Sequence, residues 1–389
     1  MSTSIRGLPD SQCSRRNILQ GCAAGVLAAG ATLPLRSQAD DSPTGDKTRP
    51  GVSIRGIYGG FPREILEKRE TPADYGINAI WVGSGSLNAD EIDRYRKLGL
   101  KVFAEFNSMH ATEFLKDHPD AAPIGPDGKP APPPQGWQGV SAFHPEYRSD
   151  RMKEFRRVLA TFDIDGIWLD YHHAHASWER AEHILPDTDF SPQALRLFTE
   201  KTKIELPADV PAAAKVLLGE RRDSWTDFRC GVFTDWVREY RGILDEVRPR
   251  ALLGTFHCPW SPEDYEGAIR HKLAIDLKSQ SQYLDVFSIM PYHARFGHSK
   301  DPAWIAQQIE RLGKLLQIEG TENEKKRIWP IVQLSDWGER VPVDQVESVL
   351  DYGARSPATG LMVFHWSGMS KEWDKVEALK RMYLSYRPA

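Results

Sequence analysis

Polar side chains able to do chemistry recur at one kind of place in this chain, the closing residues of apolar, strand-like runs. In order they are Tyr58, Trp81, Glu105 and Asn107, then Asp170, His172 and His173, then His257 and Trp260, Tyr292 and His293, Gln333 and Asp336, and His365 and Trp366. A charged group inside an apolar run is costly unless it is paired or used. Glu105, Asp170 and Asp336 are carboxyls, and a pair of carboxyls, one ionised and one protonated, is what cleavage of a glycosidic bond requires. Aromatic rings stack on the C–H faces of sugars, and neutral histidines hydrogen-bond sugar hydroxyls. The histidines have a second use. With Asp170 or Glu105, His172, His173, His257, His293 and His365 could bind a divalent metal. Against that, the first strand carries no His-x-His and no helix carries His-Glu-x-x-His. The expectation is a site without metal or cofactor.

These residues are positioned by eight apolar runs, each followed by a polar loop and most by a segment of helical period: Val52–Phe61, Ile77–Gly83, Leu100–Asn107, Ile164–Tyr171, Arg250–Trp260, Leu284–His293, Arg327–Asp336 and Gly360–Gly368. Several are apolar on both faces, as in Ala79-Ile80-Trp81-Val82, which suits a parallel sheet covered by helices. Eight such units predict an α/β fold, a single (β/α)8 TIM barrel over 51–389, with long loops after strands three and four. A doubly wound open sheet is the alternative, but no Gly-x-Gly-x-x-Gly or phosphate loop follows the first strand. In a barrel, strand C-termini and the loops after them form the active face, so the polar residues above converge.

Around Asp165-Gly166-Ile167-Trp168-Leu169-Asp170, Met290-Pro291-Tyr292 and Val363-Phe364-His365-Trp366, the chain resembles the barrel glycoside hydrolases. The likeness is to the hypothetical glycosyl-hydrolase-like families and, distantly, to family 18. Gly125-Pro126-Asp127-Gly128-Lys129-Pro130 and His144-Pro145-Glu146-Tyr147 add to the first likeness. The resemblance implies a glycoside hydrolase acting on a poly- or oligosaccharide. The departures are specific: His172 stands where family 18 has its acidic glutamate, Trp168 replaces an aspartate, and His293 replaces the strand-six aspartate. The substrate-assisted mechanism is therefore not implied. Asp170 is left as nucleophile or electrostatic stabiliser, held ionised near neutrality by Tyr292 and a histidine. Asp336 or Glu105 is its partner, unless Glu105 pairs with Arg55 or holds His110, Tyr58 or Asn107. The remaining strand-end residues would bind sugar. The other readings are a metal-dependent barrel hydrolase or isomerase, and a carbohydrate-binding barrel without catalysis.

The rest of the chain sets the context. A formal charge of −4 gives no case for nucleic acid as partner. Ser14-Arg15-Arg16-Asn17-Ile18-Leu19, an uncharged stretch from Gly21 to Leu35, and Arg36-Ser37-Gln38-Ala39 follow the order of a twin-arginine signal peptide. Residues 1–39 are thus read as a leader, 40–50 as a linker, and the product as a periplasmic or secreted monomer with no membrane span. Leu19-Gln20-Gly21-Cys22 resembles a lipobox, but the apolar stretch follows that cysteine instead of preceding it. Of the four cysteines, Cys230 and Cys258 lie beyond the leader and allow one bridge.

Overall fold

The computed structural model describes residues 51–132, 139–321 and 323–387. The leader and linker read from residues 1–50 lie outside the described residues. The described residues form one unit, built on the strands β1 (Ile54–Tyr58), β2 (Ala79–Gly83), β3 (Lys101–Asn107), β4 (Gly166–Asp170), β5 (Leu252–His257), β6 (Val286–Ile289), β7 (Arg327–Ile328), β8 (Ile331–Gln333) and β9 (Gly360–Phe364). All pair in parallel, in the order β7-β6-β5-β4-β3-β2-β1-β9-β8.

The seventh apolar run, expected as one strand, is in two pieces. Pro330 has no N–H to give to a ladder, so the run stops at Ile328 and resumes at Ile331. The interruption still spans both neighbours. Trp329 N–H donates to Phe287 O at 3.1 Å, and Met362 N–H donates to Pro330 O at 3.0 Å. With β7 on β6 and β8 on β9, the ring closes as an α/β barrel.

Its interior is filled, not hollow. Trp81, Phe103, Trp168 and Trp329 meet with ring centroids 4.6 to 5.9 Å apart. Trp168 anchors its Nε1–H on Ser288 Oγ at 2.9 Å. Glycine is required opposite two of these rings: a Cβ on Gly56 would overlap Trp81, and one on Gly254 would overlap Trp168. Trp81, expected in the site, is therefore part of the barrel floor and 1% exposed.

The helices form where caps and apolar stripes coincide. Asn88 caps Ala89–Lys97 by accepting from Asp90 and Glu91 N–H. Ser191 and Asp209 do the same for Pro192–Thr202 and Val210–Leu218, both with proline in the first turn. These two helices and the start of Arg222–Val247 occupy the long connection after β4. They enclose a small second core of Phe143, Phe190, Phe198, Trp225 and Phe228. Further along, Trp236 and Tyr240 of the long helix pack on Tyr147 and Phe155 of the Pro145–Thr161 helix. The insertion is thereby fastened to the barrel wall. Cys230 and Cys258 are both buried and free, so the bridge that the sequence allowed is not formed.

Candidate active site

Side chains on a strand alternate, so residues two apart share the barrel interior. Tyr58 ends β1 and donates its hydroxyl to Glu105 Oε2 at 2.8 Å. In the β3–β4 ladder Glu105 lies opposite Trp168, and Asn107 opposite Asp170. Glu105 and Asp170 are thus diagonal neighbours on the inward face, and their carboxyls share a hydrogen bond. Two carboxyls in such contact cannot both ionise easily. Burial first, then the charges of Glu105 and Glu179, push the Asp170 pKa well up, against the pull of the Tyr171 N–H on Oδ1 at 3.0 Å. Asp170 is therefore pushed toward its protonated form, beside the Glu105 carboxyl that accepts from Tyr58. This differs from the sequence expectation, in which a tyrosine and a histidine hold Asp170 ionised. A second carboxylate stands in that place.

A further carboxyl, not anticipated from the sequence, faces the same space. Glu179 lies nine positions beyond Asp170, in the loop after β4. Burial pushes its pKa up to about 7; the Arg295 guanidinium works against this and the charge of Glu105 adds to it. Arg295 is held in turn by its Nε–H to Glu179 O at 2.9 Å and by stacking over Trp337 at 4.4 Å.

Asp170, Glu179, Tyr58 and Tyr171 line a cavity of about 290 Å³ at the C-terminal ends of the strands, walled by Phe256, Met290, Tyr292, Ile331, Trp337, Phe364 and His365. The wall is a connected aromatic cluster. Phe364 stacks on Tyr58 at 5.5 Å and lies 4.9 Å from Tyr292 and 5.1 Å from Trp337. Burial first, then neighbouring carboxylates, push the Tyr58, Tyr171 and Tyr292 phenols far up, so all three stay protonated. A larger cavity, of about 630 Å³, opens at the opposite end of the barrel. Its single carboxylate, Asp165, is occupied by the Val102 N–H at 2.8 Å.

Of the residues expected from the sequence, Tyr58, Glu105, Asp170, Tyr292 and His365 come together here. The others do not. His172 donates from Nε2 to Phe233 O at 2.9 Å and accepts from Ser108 Oγ at 2.8 Å, facing the long helix. His257 turns to Cys258 O and His293 to Gln345. Burial lowers the pKa of these three histidines to about 4, so they are neutral imidazoles. Among the described residues no group of three or more His, Cys, Asp or Glu is placed to hold a metal ion. His173 accepts from the Trp178 indole at 3.1 Å, in a small pocket beside Glu179. Trp260 is buried against Trp178, and Asn107 points into solvent at the end of β3. Gln333 is fully buried and acts as a strut, accepting from Arg295 N–H and donating to Trp337 O. Trp366 donates to Glu64 Oε2 in the outer layer. Asp336 is half exposed and bound to the buried Lys375 at 2.8 Å. Burial, which would raise its pKa, is outweighed by the hydrogen bonds from Lys375 and the Val341 N–H, which lower it. It lies outside the carboxyl cluster.

No family model matches the chain, and no curated protein matches it in sequence. Solved structures do match in shape. The glycoside hydrolase domain of PgaB (BpsB) from Bordetella bronchiseptica aligns with a TM-score of 0.61 at 15% identity, over 86% of this chain and 99% of that one. The β-galactosidase of Marinomonas ef1 aligns at 0.59 and 14%, and α-L-fucosidase isoenzyme 2 of Paenibacillus thiaminolyticus at 0.55 and 10%, over 85% and 86% of this chain. The match spans 59% and 49% of those two longer chains. At these identities the likeness is one of fold, the TIM barrel that these glycoside hydrolases share.

Proposed function

We propose that this chain hydrolyses a glycosidic bond, with Asp170 as the proton donor and Glu179 as the carboxylate acting on the anomeric carbon, directly or through a water. One observation carries the reading: two carboxyls in unlike surroundings face one aromatic-walled pocket, Asp170 against the carboxyl of Glu105 and Glu179 against the guanidinium of Arg295. Glycoside hydrolysis needs a protonated and an ionised carboxyl together, and differing environments are how one site holds both. Asp170 keeps its proton because burial, and then the charges of Glu105 and Glu179, push its pKa well up. Glu179 is ionised above about 7, where Arg295 supports its charge. Tyr292, Phe364 and Trp337 offer rings to a sugar face, and Tyr58 and Tyr171 offer hydroxyls. Asp336 has no part in this reading. The kinship with family 18 is part of the proposal, resting on Asp170, Met290 and Tyr292, which line the pocket.

A panel of 4-nitrophenyl glycosides, followed by the matching unactivated glycan, tests it. Asp170→Asn should lose roughly 10²–10⁴-fold on the glycan, the usual worth of a general acid. It should recover on a 2,4-dinitrophenyl glycoside, whose leaving group needs no proton. Glu179→Gln should lose activity on both. A Glu179→Gln protein that cleaves as fast as wild type would overturn the assignment. A wild-type protein that binds glycans in this pocket and cleaves none would establish a binding barrel instead. Export by the twin-arginine route, on the strength of Arg15-Arg16 and the segments after it, belongs to the same proposal.

A further inference from the structure

The pocket of about 290 Å³ is at the lower end of the range for small-ligand sites, so a glycan longer than its inner unit must continue outside it. One path is marked. Trp178, beside Glu179 in the wall of the adjoining small pocket, packs against Trp260 at 6.3 Å. Trp260 and His183 lie 4.6 Å apart, and Tyr265 sits on both at 4.7 Å. Trp260 and Trp178 are buried, whereas Tyr265, at the outer end, is 58% exposed. Large exposed aromatics are few among the described residues, and this one is held up by a stack of rings. Its backbone is also held in an unfavourable place. Tyr265 and Glu266 have φ of 50° and 58°, in the left-handed region that side chains with a Cβ avoid.

We infer that Tyr265, backed by His183 and Trp260, is a stacking platform for a distal pyranose unit of a chain-like carbohydrate substrate. The inference rests on the hydrolase reading of the pocket and extends it from one sugar to an oligosaccharide. The platform is tied to the reacting carboxyl through the backbone. Ser177 and Ile184 exchange both backbone hydrogen bonds at 2.9 Å, closing a hairpin that carries Glu179 on one arm and His183 on the other. A sugar seated on Tyr265 therefore presses on the segment that sets where Glu179 stands. Substrate length should affect turnover as well as binding.

The test uses the full chain with oligosaccharides of two to six units of each sugar represented in the aryl glycoside panel. Tyr265→Ala should reduce kcat/KM at least tenfold on five- and six-unit chains and less than about twofold on the 4-nitrophenyl monosaccharide glycoside. Tyr265→Phe, which keeps the ring, should restore the long-chain rate. Equal losses on long and short substrates, or no loss on long ones, would overturn the platform. A readout independent of catalysis separates this inference from the hydrolase reading. Long oligosaccharides should quench the tryptophan fluorescence of wild-type protein with an affinity that rises with length and falls in Tyr265→Ala. If that holds while nothing is cleaved, the platform stands and the hydrolase reading fails. If cleavage proceeds with no dependence on length, the hydrolase reading stands and the platform fails. If no oligosaccharide binds, both fail.

Discussion

Replacing Glu179 with Gln tests the electrostatics of the site before any substrate is known. A carboxyl whose ordinary value is 4.5 and which titrates at about 7 in the fold is penalised when ionised by about 3 kcal/mol, at about 1.4 kcal/mol per tenfold change in proton affinity. Glu179 is only partly buried, so solvent makes this an upper figure. The sign follows from linkage. The folded state holds the Glu179 proton more tightly than the unfolded chain does. Stability from this group is thus fully present below pH 4.5 and is lost as pH rises to about 7. Gln does not titrate. Relative to wild type, Glu179→Gln should gain stability steadily across that window, by up to about 3 kcal/mol, and level off above it. For a domain of this size, 1 kcal/mol moves Tm by roughly 2 °C. The Tm difference between variant and wild type should therefore grow by up to about 6 °C between pH 4.5 and 8.5. Thermal unfolding followed by circular dichroism measures it. A Tm difference that stays constant over this range would refute the claim that burial holds Glu179 protonated. Glu105→Gln adds a check. It removes one of the two influences that raise Glu179, so the window should narrow from its upper edge.

Four other outcomes follow from the same geometry. The pH profile of kcat/KM should rise through about 7 as Glu179 ionises, and Glu105→Gln should move that limb lower; a limb near the ordinary carboxylate range in wild type would count against Glu179. Asp336→Ala should cost roughly 1–3 kcal/mol by depriving the buried Lys375 of one of its two carboxylates, with kcat of the folded protein changed less than a few-fold; a loss of several orders would return Asp336 to the site. Gly254→Ala should fail to fold or melt far earlier than wild type, because its Cβ would fall within the Trp168 ring; normal thermal unfolding would show that the barrel interior repacks. N-terminal sequencing of exported protein should begin at Asp40, and an Arg15→Lys, Arg16→Lys double variant should stay in the cytoplasm by fractionation.

Much of the barrel was legible because its signals are repeated. Apolar runs such as Ala79–Gly83 and Gly360–Phe364 carry strands apolar on both faces, and segments such as Trp304–Leu316 carry a helical stripe. Pro330 was equally visible and marks the one place where a run breaks. The strand ends that meet at the pocket were legible, but the phase of the residues on them was read loosely. Asp170, Tyr292 and Tyr58 stand on the inward parity of their strands. His257 and His293 come one residue after the inward Phe256 and Tyr292 and so point into the helical layer, whereas Trp366 shares the parity of Phe364 and lies outside because the strand has ended and a helical turn begins there. Strict alternation from Gly254 would have favoured Phe256 over His257. Glu179 offered no such handle. It sits in a loop without period, and only the Ser177–Ile184 hairpin and the packing of Trp178 bring it back over the strand ends.

The four rings that close the barrel interior also determine how matter moves through the protein. Trp81, Phe103, Trp168 and Trp329 lie in contact across the bore, so the pocket above them and the cavity below are separate compartments. A dead-end chamber of this kind has one doorway. Under the hydrolase reading, product must leave by the face through which substrate arrives, and the attacking water must share it. Under that reading product competes with substrate for one face, and the loops that border it, Glu179's hairpin among them, are the ground they contest.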